Sequence, residues 1–342
     1  LAAAAIAKSM EMPLPKVVPV GLHFRRREHF RTDQFIEFGE PIEIVDDMVP
    51  SAMVEAVQQG GWIEPPESTV HRLRDALQEQ LPYLTPNAST WEEHRAVHLL
   101  AHAEAREKGK KLHTWEEEVL AARNVRDTWP GSTATFPPQP LEGERMAHAS
   151  EAAELLEQAG LDGRDLGAKG QVFRKASWGR VPSAVLSVVL FAALLPFSIT
   201  SLGLQITLGR LLGDSTDEGL DARTSFQFLA AFFGSLLIWP VVAGLWTVLV
   251  YLNHEALASV LGLPSSWLEV GGASPLLGLF LVFIACFPLF WASGKSFASA
   301  WDVWVDTRKA WTRFRFPAEE KTRLGRLLDK ILSLIHISEP TR

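Results

Sequence analysis

Three long uncharged stretches constrain this chain more than any other feature. They cover residues 181–209, 224–253 and 270–294, which are 29, 30 and 25 residues long. A bilayer core of about 30 Å needs about 20 helical residues, so each stretch is long enough to cross. Lipid offers no partner to free backbone N–H and C=O groups, which forces such stretches to be helical. We therefore predict an α-helical membrane region over residues 181–294.

Charged residues divide the chain into two kinds of sequence. Residues 181–294 hold 8 Asp, Glu, Lys and Arg side chains, whereas the rest of the 342-residue chain holds 65. This excludes a wholly soluble protein. The single cysteine, Cys286, excludes an internal disulfide scaffold. A net charge of −7 argues against a nucleic-acid partner, because binding to phosphates normally requires a basic surplus.

Basic residues flank the membrane region on both sides, at Lys169, Arg174, Lys175 and Arg180 and again at Lys295, Arg308, Lys309, Arg313 and Arg315. The positive-inside rule then places both flanks in the cytosol. Three complete crossings would separate them. Either one stretch fails to cross or the charge rule is overridden, and we favour the first.

The sequence after the third stretch predicts a basic, aromatic juxtamembrane helix over residues 295–332. Phe297, Trp301, Trp304 and Trp311 recur there at helical spacing. Such a helix lies along an anionic membrane surface or packs against the soluble domain, and both readings stay open. Residues 333–342 resemble a translated library adapter. With the start at Leu1, this leads us to expect a fragment of a longer protein.

The first half of the chain predicts strands followed by helices. Lys16–Phe24 and Gln34–Phe38 are rich in β-formers, and a basic loop joins them. A helical pattern then runs over residues 67–126, with capping-box signals at Thr90 and Thr114. Residues 127–180 read as a linker that contains one short helix over residues 150–160.

Two motifs in the strand region resemble a known family. Val17-Val-Pro-Val-Gly-Leu22 and Phe35-Ile-Glu-Phe-Gly-Glu-Pro-Ile42 are similar to the last strands of the membrane glycerolipid acyltransferase domain. Within that family they look closest to the glycerol-3-phosphate and dihydroxyacetone-phosphate acyltransferases. The likeness covers roughly residues 14–100 and includes Leu84-Thr-Pro-Asn-Ala-Ser-Thr-Trp91.

The resemblance implies a fold and an activity. Residues 1–126 would be the carboxy-terminal part of an α/β acyltransferase domain, facing the cytosol at the endoplasmic reticulum membrane. The activity would be acyl transfer from acyl-CoA, as co-substrate, to glycerol 3-phosphate or dihydroxyacetone phosphate, without a further cofactor. A lysophospholipid acceptor is an alternative, because the family shares these motifs.

The resemblance also implies binding residues. Val18, Pro19 and Val20 would shape a strand end near the acyl chain, while Arg25, Arg26, Arg27 and Arg31 would bind phosphate or anionic headgroups. The alternative for each arginine is a solvated turn. Catalysis in the family uses an H-x-x-x-x-D block that this sequence lacks. We therefore assign no catalytic residue and expect the chain alone to be inactive.

Two further readings stay open. His94, His98 and His102 are spaced four apart and would share one helix face, where two neighbours would suit zinc. No carboxylate or cysteine completes an obvious site, so a polar face is favoured and no metal is assigned. Finally, the chain could instead be a non-enzymatic multi-pass protein whose basic loop binds anionic lipids.

Overall fold

A computed structural model describes residues 1–26, 31–86, 88–132, 137–168, 170–175, 179, 181–215, 220–261 and 275–338. The described residues form two compact units. The first, called the polar unit, takes its residues from 1–25, 33–175 and 312–338. The second, called the apolar unit, takes its residues from 26–32 and 176–311.

The predicted α/β fold is wrong. The structure is 71% helical and only 5% strand. The strands are β1 (Lys16–Val17), β2 (Val20–Phe24), β3 (Gln34–Phe38) and β4 (Ile42–Glu43). They form two separate antiparallel pairs, β1 with β4 and β2 with β3. The two motifs do form strands, but the strand pairs of the described residues are short and separate, and such pairs do not make a sheet layer.

Helices make up most of the remaining described residues of both units. In chain order they are α1 (Ala2–Ser9), α2 (Ser51–Gln58), α3 (Glu67–Leu84), α4 (Trp91–Glu107), α5 (Trp115–Asp127), α6 (Glu144–Gln158), α7 (Val181–Ser198), α8 (Leu204–Asp214), α9 (Leu220–Leu252), α10 (His254–Leu261), α11 (Pro275–Arg315) and α12 (Ala318–Ser338). Short 3-10 turns lie at Asp46–Met48 and Gly163–Asp165, and a π-helical segment, Ile199–Gly203, joins α7 to α8.

The core of the polar unit lies among α4, α5, α6 and α12. Its most deeply buried side chains include Leu100, Val125, Leu156, Leu324 and Ile331. The buried residues of α6 and α12 recur every three or four positions, as in Leu324, Leu327, Leu328 and Ile331, which gives each of these helices one apolar face. A smaller cluster joins α1 to the segment that enters α2, around Ala5, Val49 and Met53.

Helix ends follow the predicted signals in part. At α5, the Thr114 side chain accepts from Glu117 N and the Glu117 side chain accepts from Thr114 N, so this capping box is confirmed. At α4, Thr90 accepts from Glu93 N, but the Glu93 carboxylate turns to Ser89 instead. The short helix predicted over residues 150–160 is α6, which begins earlier, at Glu144.

Three helices are long and apolar enough to cross a membrane: Val181–Asp214, Ser225–Leu252 and Leu276–Arg315. Only 11%, 22% and 17% of their most apolar windows is buried. Apolar side chains therefore cover their outer surfaces, which in water would be costly and in lipid is favourable. These three helices agree with the predicted membrane region over residues 181–294 and are compatible with a membrane protein.

Candidate functional site

The β2–β3 hairpin brings the two sequence motifs together. Val20 pairs with Phe38, and the register continues to Phe24 opposite Gln34. Beyond the paired strands, Gly39 N donates to Pro19 O at 2.8 Å. The Val-Pro-Val and Phe-Gly-Glu-Pro-Ile segments, about twenty residues apart in sequence, therefore meet at the open end of one hairpin.

Two glycines in these motifs allow the hairpin to lie directly on the end of α3. A Cβ atom at Gly21 would stand 2.4 Å from the Leu84 carbonyl oxygen. At Gly39 it would stand 2.5 Å from Gln80 Oε1. Gln80 also donates to Glu40 O at 2.9 Å. Glycine is needed at Gly21, because the obstacle there is backbone, whereas at Gly39 the nearest obstacle is the end of the flexible Gln80 side chain.

The opposite face of the hairpin is exposed and apolar. Val20, Leu22, Ile36 and Phe38 are 48%, 58%, 52% and 70% exposed. Of the three predicted acyl-pocket residues, Val18 and Val20 are exposed, while Pro19 is buried next to Gly39. Pro19 thus differs in exposure from the valines on either side of it.

Arg25, predicted to bind phosphate, lies in an ionic cluster. It donates two hydrogen bonds to Glu118, at 2.6 and 2.5 Å, and one to Asp33 at 2.9 Å. Its guanidinium also lies 4.4 Å from the ring centre of Trp115. The second neighbour of Glu118 is His102, whose Nε2 is 3.1 Å away. This arrangement gives Arg25 a structural role, since it ties the hairpin to α5.

The electrostatics of Glu118 follow from these neighbours. Its side chain is only 2% exposed, and burial by itself would raise its pKa. Hydrogen bonds and charge from His102 and Arg25 outweigh burial and hold the pKa of Glu118 below its ordinary value. A buried carboxylate is stable only with such partners, so the cluster depends on all three side chains.

Two of the other predicted arginines have described contacts of their own. Arg31 makes a two-pronged ion pair with Asp302, at 2.9 and 2.8 Å, inside the apolar unit. Arg26 has its backbone N–H bonded to Thr32 Oγ1 at 2.9 Å. Arg27 lies outside the described residues. A phosphate group would have to compete with carboxylates for both Arg25 and Arg31.

A second ionic cluster was not predicted from sequence. Arg123 donates to both oxygens of Glu37, at 2.8 and 2.6 Å, and His23 Nε2 lies 3.1 Å from Glu37 Oε2. The hydrogen bonds from Arg123 lower the pKa of Glu37, and burial lowers that of His23. Trp115 Nε1 donates to His23 O at 3.0 Å. These contacts tie the middle of the hairpin to α5.

A narrow cleft with a free volume of about 40 Å3 lies between the hairpin, the end of α3, α4 and α5. Its lining includes His23, Tyr83, His94, Trp115 and Arg126. This mixture of rings and one largely buried guanidinium gives the cleft both apolar and cationic walls.

The predicted histidine stripe divides between two environments. The His94 and His98 rings are 4.5 Å apart, and His98 stacks on Trp115 at 4.9 Å. His102 faces Glu118 instead. Within the described part of the chain, no group of three or more His, Cys, Asp or Glu side chains is arranged to hold a metal ion.

His94 makes the stability of the polar unit depend on pH. Burial, with repulsion from Arg126 and Arg95, lowers the pKa of His94 from 6.5 to about 4. In the unfolded chain His94 therefore binds a proton below pH 6.5, whereas in the folded chain it binds one only below about pH 4. We expect this contribution to the free energy of unfolding to be fully retained above pH 6.5 and to fall by about 3 kcal/mol towards pH 4.

Chemical unfolding in detergent at a series of pH values measures this loss. His94→Gln should reduce the slope of the curve between pH 6.5 and 4, while His71→Gln, at an exposed position, should leave it unchanged. Equal slopes for wild type and His94→Gln would contradict the assignment.

Comparison with known protein families, curated proteins and solved structures gave no match for this chain.

Proposed function

We propose that this chain is part of a membrane glycerol-3-phosphate O-acyltransferase that acts in phospholipid and triacylglycerol synthesis at the endoplasmic reticulum. The observation that carries the proposal is the hairpin. The two motifs on which the resemblance rests are hydrogen-bonded to each other through Gly39 N and Pro19 O. Helices suited to a membrane accompany them, as an enzyme with a lipid product requires.

In this proposal the chain does not supply the reacting groups. Acyl transfer to a hydroxyl needs a general base and a residue that orients it. The sequence contains no H-x-x-x-x-D block, so both must come from outside it. Because Arg25 is bound to Glu118 and Arg31 to Asp302, phosphate recognition in this proposal also falls to other residues.

An acyl-transfer assay tests the proposal. Membranes from cells that express the full-length gene product are given labelled acyl-CoA with glycerol 3-phosphate, dihydroxyacetone phosphate or a lysophospholipid. We expect a labelled acylated glycerol phosphate. If product forms only with the lysophospholipid, the acceptor is a lysophospholipid and not a glycerol phosphate. If no product forms with any acceptor, the proposal is wrong.

The missing catalytic block is also what favours the alternative of a non-enzymatic multi-pass protein that binds anionic lipid. The same membranes distinguish the two. An inactive full-length product whose purified form binds vesicles of anionic lipid more tightly than neutral ones would support the alternative.

A further inference from the structure

The polar unit is built from sequence on both sides of the three apolar helices. Leu324 and Ile331 of α12 are fully buried in the same core as Leu100 of α4 and Leu156 of α6. Residues that precede the apolar helices thus share one core with residues that follow them.

Polar contacts join the same two parts of the chain. The Arg313 guanidinium donates to Asp165, and both side chains are almost completely buried. The Phe316 ring lies 4.9 Å from that of Phe173. Arg323 donates to Glu151 on α6 at 2.7 Å. The association is therefore specific as well as apolar.

This construction restricts how the chain passes through a membrane. A packed core cannot be divided by a bilayer, because its buried polar and apolar contacts would be lost. Lys175 and Thr312 must therefore lie on the same side, and the chain between them must cross an even number of times. Three apolar helices are an odd number, so one of them does not complete a crossing.

Two of the three helices form a hairpin. Phe197 lies 4.7 Å from Trp246, ring centre to ring centre, and Gly209 packs against Ala230. Residue numbers rise along α7–α8 as they fall along α9, so the two run antiparallel over several turns. The helix α8 ends at Asp214 and α9 begins at Leu220, so only five residues connect them. Because this connection is short, α7–α8 and α9 are suited to cross a membrane and return as one hairpin.

The third helix, α11, does not share the axis of this hairpin. Its contacts with α7 are Phe191 to Phe297 and Phe197 to Phe290, and its contacts with α9 are Trp239 to Phe290 and Ala243 to Cys286. Along α7 and the π-helical segment, the α11 partners first fall from Phe297 to Phe290 and then rise to Ser293, opposite Ser198, and Gly294, opposite Leu202. Partner numbers that fall and then rise mean that α11 meets α7 at a crossing and does not run alongside it. The helix α11 is therefore inclined to the axis of the hairpin formed by α7–α8 and α9.

We propose that α7–α8 and α9 cross the membrane as a helical hairpin, and that α11 enters at an inclination without completing a crossing. Both flanks and α10 then lie on the cytosolic side, and the end of the hairpin near Ser215 lies on the far side. At about 60 Å, α11 is about twice as long as the bilayer core is thick, which suits an inclined helix.

Charge asymmetry agrees with this assignment. The segment 210–223 at the far end of the hairpin holds Arg210, Asp214, Asp217, Glu218, Asp221 and Arg223, a net negative charge. The two cytosolic flanks are basic. If all three apolar helices crossed, the two basic flanks would lie on opposite sides, against the positive-inside rule. With two crossings, both basic flanks lie in the cytosol and the rule is obeyed.

Cysteine accessibility tests the proposal, and the single native cysteine makes it practical. In a Cys286→Ala background, one cysteine each replaces the exposed residues Lys110, Ser215, Ser259 and Lys330. Vesicles sealed with the cytosolic face outward are treated with a membrane-impermeant maleimide. We expect Lys110→Cys, Ser259→Cys and Lys330→Cys to react as fully as in detergent, and Ser215→Cys to react only after detergent is added.

Other patterns overturn the proposal. Protection of only one of positions 110 and 330 would mean an odd number of crossings. Protection at position 259 would mean that α11 crosses, and free reaction at position 215 would mean that the hairpin does not. Wild-type chain with a tag at each end gives a check free of substitutions, because protease should remove both tags from intact vesicles. Removal of one tag alone would contradict the even count, whatever the acyl-transfer assay shows.

Discussion

Replacing Glu118 by glutamine is expected to destabilise the polar unit by about 3 kcal/mol. Glu118 is nearly inaccessible and accepts two hydrogen bonds from Arg25, with His102 as its other neighbour. An amide keeps the shape of the carboxylate but removes its charge, which leaves a largely buried guanidinium without its main counter-ion. The measurement is the free energy of unfolding of the detergent-solubilised full chain in urea.

The pH dependence of the same variant tests the physical cause. The folded pKa of Glu118 is lower than its unfolded value of 4.5, so its contribution is complete above that value and is lost as pH falls through the folded pKa. Glu118→Gln should lose stability most near neutral pH and least in acid.

A matched control is Glu43→Gln, which breaks the exposed pair with Lys16. That substitution should leave the unfolding curve unchanged, since exposed pairs contribute little. Equal stability of Glu118→Gln and wild type would show that Arg25 does not depend on this carboxylate.

Local sequence patterns predicted the local structures well. The apolar stretches could be predicted as helices because their length and their lack of charge can be read from each segment alone. The N-caps at Thr90 and Thr114 formed because each threonine oxygen accepts from a backbone N–H three residues ahead, although only Thr114 completes the capping box. Fold class was mispredicted for a different reason. Val20–Phe24 and Gln34–Phe38 have the same pattern in a large sheet as in a lone hairpin, and only their distant packing partners distinguish the two.

The candidate site shows the same limit more sharply. The local sequence predicts that Arg25 is exposed, because it belongs to a run of arginines in a predicted loop. Its partner Glu118 lies 93 residues further along the chain, and nothing near either residue indicates the pairing. The same holds for Glu37 and Arg123, 86 residues apart. Long-range ion pairs decided which arginines are available for ligands, and single-sequence reasoning has no access to them.

The close contact between the β2–β3 hairpin and the end of α3 is tested by Gly21→Ala. We expect this substitution to destabilise the polar unit by about 3 kcal/mol. In a strand, alanine is normally the more stable residue by a fraction of a kcal/mol, so a loss would be diagnostic. Here the added Cβ would stand 2.4 Å from the Leu84 carbonyl oxygen, and the hairpin or the end of α3 must move. Urea unfolding measures the loss, and trypsin should cleave faster at Arg26 if the hairpin has lifted.

Gly325→Ala is the matched control, because its Cβ would make only an ordinary contact, 3.4 Å from Val172, on the helix α12. That substitution should stabilise the chain by about 0.5–1 kcal/mol, the usual preference for alanine within a helix. If Gly21→Ala were as stable as wild type and no more sensitive to trypsin, the motif glycine would not be seated on Leu84. The two acyltransferase-like motifs would then lack the support from α3 that fixes their position relative to the helices.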